Sequence, residues 1–136
     1  MKRHPALIAL SREHHTALVL AKRLQRSGEV DPAMLMAQLI TVFEHELEPH
    51  FRTEESDILP VLQRHGHHAL VAQTMEEHRI LRTDIEKIRS GCVESLIFFG
   101  TVLAAHVRFE ERVMFPAVES ALSHQTDRVQ PDPTNG

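Results

Sequence analysis

The sequence predicts an all-α protein, a four-helix bundle of up-down-up-down order. Three observations carry this. Four long segments hold apolar residues at helical spacing, short connections marked by glycine or proline separate them, and no segment alternates as a half-buried strand does. A chain of 136 residues suits one core. The bundle is expected over 1–122, with 123–136 as a disordered tail poor in apolar residues.

The first helix opens at Pro5, a residue suited to a first turn. It carries Leu7, Leu10, His14, Ala17, Ala21 and Leu24 on one face before Ser27-Gly28 closes it. Asp31-Pro32 reads as a cap and a first-turn proline, starting a second helix that runs to about Arg64. Its inward seam is Leu35, Leu39, Phe43, Glu46, His50, Glu54 and Ile58, and Pro49 is expected to kink or open it locally. Gly66 ends it. The third spans His68 to Arg89 with Val71, Met75, His78, Leu81, Ile85 and Ile88 inward, and Ser90-Gly91 follows. The fourth runs from about Val93 to Leu122 through Phe99, Leu103, His106, Glu110, Val113 and Ala117. Pro60 and Pro116 are expected to bend or end their helices, and Phe43, Phe51, Phe109 and Phe115 to fill core.

Composition narrows the function. A net charge of −4 and the absence of Trp and Tyr remove the basic footprint and most stacking platforms of a nucleic-acid binder. The apolar runs are too short to cross a bilayer, and the N-terminal stretch does not read as a signal peptide. A single cysteine, Cys92, excludes an internal disulfide and is expected to be structural or inert. A cytoplasmic protein without nucleic-acid or membrane partners is expected; a homo-oligomer is left open. Histidine is the outlier, with 11 residues.

Those histidines follow a pattern. HFRTEESDILP begins at His50 and HVRFEERVMFP at His106; both read His-x-x-x-Glu-Glu, with a proline six residues after the first Glu. Glu13-His14 and Glu77-His78 also repeat, which suggests two helical hairpins about a pseudo-twofold axis. Residues four apart share a helix face, so His50 projects with Glu54 and His106 with Glu110, each pair inward. Burying unpaired carboxylates is ruinous for a fold stabilised by about 5–15 kcal/mol. A pair of divalent cations compensates, with Glu54 and Glu110 bridging and His14, His50, His78 and His106 outside them. Without metal, burial is expected to push these carboxylates up and the imidazoles down.

The seam phase favours His14 in the first helix, whereas His15 is followed by Thr-Ala-Leu. Glu46 is either an orienting or extra ligand beside His50 or a solvated residue. Glu55 and Glu111 read as solvated neighbours, Glu77 as a surface partner of Arg79 or a similar group, and His65, His67 and His68 as exposed loop residues.

The segments LSREHHTALVLAKRL, ELEPHFRTEESDILPVL, MEEHRILR and HVRFEERVMFP together resemble the hemerythrin-like, HHE cation-binding family over about residues 5 to 120. The resemblance implies a four-helix bundle around a non-haem di-iron centre that meets dioxygen, peroxide or nitric oxide. By position it implies His50, His78 and His106 as terminal ligands, Glu54 and Glu110 as bridges, and His15 in a His-x-x-Leu motif. Oxygen carriers of the family place two histidines one turn apart on the third helix and His-x-x-x-x-Asp on the fourth. Here Thr74 and Arg82 flank His78, and the fourth helix has His-x-x-x-Glu, so reactive chemistry or sensing is expected over reversible carriage. Imidazole and carboxylate donors suit iron, with zinc or manganese as substitutes in recombinant material. Two functions follow: binding or reduction of these small molecules, or a redox or oxygen sensor or iron-buffering module without turnover.

Overall fold

The computed structural model describes residues 3–129 and consists there of four long helices without a strand. We label them α1 (Pro5–Gln25), α2 (32–64), α3 (His68–Arg89) and α4 (95–129). The His4 ring caps α1 by accepting from the Ala6 N–H at 3.1 Å, and the Asp31 carboxylate caps α2 through Ala33 N–H at 3.1 Å. Gly66 and Gly91 stand at φ +83° and +93°, where a side chain would be strained, and let the chain turn into α3 and α4. A single turn, Ser27–Glu29, joins α1 to α2. The end of α2, Leu59–Arg64, packs on the end of α4, Phe115–Val129, so these helices run the same way, as the alternating order requires. Helix α4 begins at Ser95 rather than Val93 and continues to Val129, past the Leu122 limit read from the apolar pattern. The rest of the expected tail, 130–136, lies outside the described residues.

The prolines do not end their helices. In three places the residue before a proline donates its N–H to the carbonyl five back: Glu48 to Phe43, Leu59 to Glu54, and Phe115 to Glu110. A proline has no N–H, and its ring collides with the carbonyl four residues back. Widening the preceding turn by one residue, as π turns do, moves that carbonyl aside. The wide turns Phe43–Leu47, Glu54–Ile58 and Glu110–Met114 thus let the helices run on through Pro49, Pro60 and Pro116.

Each wide turn also shifts the helix phase, which corrects the sequence reading. Leu47 is buried in place of exposed Glu46. After Glu110, Met114 and Val118 turn inward instead of Val113, which is 46% exposed, and Ala117, which is half-buried. On α3, Thr74 takes the inward place expected of Met75, and its hydroxyl donates to the Leu70 carbonyl at 2.8 Å.

The apolar core is divided. Leu24, Leu39, Phe43, Phe51, Leu81, Ile85, Phe99 and Leu103 belong to one cluster. Leu7, Leu10, Ile58, Leu62, Met114, Phe115 and Val118 form another. Between them on every helix comes a polar layer: His14 on α1, His50 and Glu54 on α2, His78 on α3, and His106 and Glu110 on α4. Gly100 lets α1 approach α4 closely, since a Cβ there would lie 2.8 Å from both the Ala21 carbonyl oxygen and the Leu24 Cβ. Alanine is the better helix former by about 1 kcal/mol, but overpacking costs about 1–3 kcal/mol. Gly100→Ala is therefore expected to lower the melting temperature; a rise would mean that α1 and α4 stand further apart.

Candidate metal centre

Each imidazole of the polar layer has a carboxylate near both of its nitrogens. On the inner side, His14 Nε2 lies 2.7 Å from Glu110 Oε1, His50 Nε2 2.9 Å from Glu54 Oε2, and His78 Nε2 3.0 Å from Glu54 Oε1. His106 Nε2 is 3.0 Å from Glu110 Oε2, yet neither atom has a hydrogen-bond partner: the distance is right and the direction is not. These are buried polar atoms aimed into one space without a proton joining them, an arrangement that suits a cation between them. His14, His50, Glu54 and Glu110 offer donor atoms all within 4.8 Å of one another, as do Glu54, His78, His106 and Glu110. Both carboxylates belong to both sets, and the mixed imidazole and carboxylate donors fit iron, manganese or zinc.

On the outer side, each Nδ1 meets a second carboxylate. His14 pairs with Glu111 at 2.6 Å, His50 with Glu13 at 2.7 Å, His78 with Glu55 at 2.7 Å, and His106 with Glu77 at 2.6 Å. A proton on Nδ1 donated outward leaves the Nε2 lone pair pointing inward, the tautomer that a metal ligand needs. These four glutamates were read from the sequence as solvated or surface residues or passed over, and the structure corrects that. Their signal was present: Glu13 and Glu77 precede a seam histidine, and Glu55 and Glu111 follow a seam glutamate. Helical periodicity places all four off the inward face, so it could not reveal partners reaching across from neighbouring helices.

The remaining candidates fall outside the cluster. His15 is exposed, one residue round from buried His14. Glu46 is exposed, and the ring of His50 is oriented by Glu13 instead. Arg79 pairs with Glu76, not with Glu77. His67 and His68 are exposed as expected, whereas His65 is half-buried with Nδ1 2.9 Å from the Val61 carbonyl. A narrow cavity of about 10 Å³ lies beside His14, His50 and His106, lined also by Ala17, Leu47, Phe51, Leu103 and Val107. That is room for about one water-sized molecule.

Electrostatics depart from burial alone. Burial would lower the His50 pKa, but the Glu110 and Glu54 carboxylates overcome it and raise it from 6.5 to about 11. Burial opposes His106 too, and the Glu110 charge wins, raising it to about 10. Glu54 is pushed up, by burial and then by the Glu110 charge. Burial also works to raise Glu110, but His106, His14 and His50 hold it well below the usual carboxylate range. The expectation of depressed imidazoles and two raised carboxylates therefore fails at His50, His106 and Glu110 and holds at Glu54. Without metal, protons on His50 and His106 supply compensating charge.

A family model described as the hemerythrin HHE cation-binding domain matches residues 6–118, a span that includes every residue of this cluster, and the chain belongs to that family. No curated protein and no solved structure matches it. The family's cation binding and the two buried donor sets agree: the bundle has a core built to hold metal.

The pKa shifts set the pH dependence of the metal-free protein. His50 and His106 are raised, so the stability they add is full below about pH 6.5 and is lost as pH climbs toward about 10–11. Raised Glu54 acts in the same sense, its contribution falling as pH rises above its ordinary range. Glu110 is depressed, so its contribution is present above about pH 4.5 and is lost as pH falls below that. Thermal melts of chelated protein are expected to peak between about pH 5 and 6.5 and to decline toward pH 9. A melting temperature that rises over pH 6.5–9 would show that His50 and His106 are neutral in the fold.

Proposed function

We propose that the protein is a non-haem di-iron protein that binds or reacts with dioxygen, peroxide or nitric oxide. The observation that supports this best is the sharing of Glu54 and Glu110 between two buried donor sets, each completed by two histidines. In this reading His14 and His50 would hold one ion and His78 and His106 the other, with Glu54 and Glu110 available to both. Bound there, iron would supply one-electron changes and free coordination positions for a small ligand. The residues around it do the rest. Glu111, Glu13, Glu55 and Glu77 keep protons on the outer imidazole nitrogens, and the two apolar clusters exclude bulk water. The small cavity beside His14, His50 and His106 offers room for small molecules only. Zinc and manganese satisfy the same donors and are expected in recombinant material.

Elemental analysis is expected to return about two metal ions per chain, falling below one in Glu54→Ala and in Glu110→Ala. His14→Ala should weaken binding far more than His15→Ala in a metal-competition titration. Two ions retained in both glutamate variants would remove the bridging role, and the opposite histidine ranking would move the α1 ligand to His15.

The second reading, a sensor or iron-buffering module without turnover, uses the same ligands. Steady-state consumption of peroxide or nitric oxide by iron-loaded protein separates the two. Turnover that vanishes with Glu110→Ala is expected for reactive chemistry; one stoichiometric event per centre would assign the chain to sensing or storage.

A further inference from the structure

Two arginines stand outside the donor sets yet hold imidazoles of the layer by the same device. Arg82 lies one turn beyond His78 on α3 and makes a forked contact with two glutamates. Its Nε and Nη2 donate to Glu48 at 2.8 and 3.0 Å, and its Nη1 and Nη2 to Glu55 at 2.7 and 3.3 Å. Glu55 Oε2 is the same atom that meets His78 Nδ1 at 2.7 Å. The guanidinium carbon also lies 5.7 Å from the centroid of the Phe51 ring, which stacks on His78 at 4.2 Å and 19°. Arg3 repeats this around His14. It donates to Glu111 at 2.7 Å, Glu111 meets His14 Nδ1 at 2.6 Å, and the guanidinium lies 5.5 Å from Phe115, stacked on His14 at 5.1 Å and 17°.

The internal repeat does not account for the likeness. Arg82 follows its histidine in the chain and Arg3 precedes its own; Phe51 comes before Glu54, whereas Phe115 comes after Glu110. The same Arg–Glu–His–Phe arrangement is thus assembled from non-equivalent positions. His50 and His106 have nothing of the kind: no arginine contacts Glu13 or Glu77 among the described residues.

We propose that Arg3 and Arg82 are positioning residues for the metal centre, each pinning one imidazole by its edge through a glutamate and by its face through a phenylalanine. Each metal position then has one pinned imidazole, His14 or His78, and one compliant imidazole, His50 or His106. The guanidinium keeps a part-exposed glutamate from swinging into water, so that its carboxylate stays on the imidazole Nδ1. The cation over the ring holds the phenylalanine against the imidazole's face.

The inference rests on the cluster binding metal, so the test begins with cobalt(II) titrations of the whole chain in competition with a chromophoric chelator. Arg82→Gln is expected to weaken cobalt(II) binding by about 10–100-fold, the range for groups standing behind a ligand, and to alter the visible bands of the bound ion. Arg3→Gln is expected to do the same. Arg82→Lys, which keeps the charge and loses the fork, should recover part of the affinity and gives a folded comparison if the glutamine variant is unstable. Adding Glu55→Gln to Arg82→Gln should cost little more, because both act through His78, whereas adding Glu13→Gln should give the sum of the single losses. A role confined to stability would lower the melting temperature without this coupling. Wild-type cobalt(II) affinity in both arginine variants, or additive losses for Arg82 with Glu55, overturns the pinning role. Unmodified protein that takes up no cobalt(II) overturns the metal reading beneath it.

Discussion

The constraint on which the rest depends is a layer of four imidazoles and two carboxylates, all buried, across the middle of a small apolar core. An isolated buried carboxylate costs several kcal/mol, a large share of what a domain of this size has in reserve. The layer persists because every group in it stands beside a polar neighbour, even where, at His106 Nε2 and Glu110 Oε2, no hydrogen bond joins the two. Glu54 and Glu110 face imidazoles, the imidazoles face outer glutamates, Glu55, Glu77 and Glu111 reach arginine, serine or glutamine nearer the surface, and Glu13 reaches water. Polar partners thus lead outward until water can complete them. Most of these links join two different helices and so bear on how the helices pack.

The wide turns belong to the same construction. Glu54 and Glu110 each open one, so the chain carries its buried carboxylate at the point where the helix loosens. The proline six residues on makes the loosening obligatory, because its ring leaves no place for an ordinary turn. The added residue rotates the helix beyond it, which brings Met114 and Phe115 inward and sets Phe115 on the face of His14. In α2 the corresponding face of His78 is covered by Phe51, which precedes the turn. Proline, wide turn and stacked ring are therefore linked parts of how the ends of the layer are closed.

Much of this was legible in the sequence. The four helices and the six inner residues follow from helical period, because period reports which side of a helix faces inward, and Pro5 and the Asp31 cap mark two of the starts; the His4 cap was not read. What it cannot report is a partner on another helix. Glu13, Glu55, Glu77 and Glu111 lie off the inward face by one residue, and their repetition beside seam residues was the only sign of their work. The misplacements of Glu46, Val113 and Ala117 share one cause, since a fixed period of 3.6 residues cannot anticipate a turn widened before a proline. Met75 and Thr74 differ for another reason: threonine satisfies its hydroxyl on the Leu70 carbonyl and so tolerates the buried place.

The arrangement of donors bears on how the two donor sets differ. Each set has two histidines and shares the same two glutamates, so the inner donors alone do not distinguish them. Any difference must come from outside them. Glu13 is the outer carboxylate most open to water, with its side chain 51% exposed against 29% for Glu111 and 22% for Glu55 and Glu77. It backs His50 beside the narrow cavity, on the same side as His14. The cavity also touches His106, and Arg3 closes over Glu111 as Arg82 closes over Glu55, so neither feature separates the two sets. In the proposed reading the unlike feature would be Glu13, which leaves the outer edge of His50 open to water without itself belonging to either set.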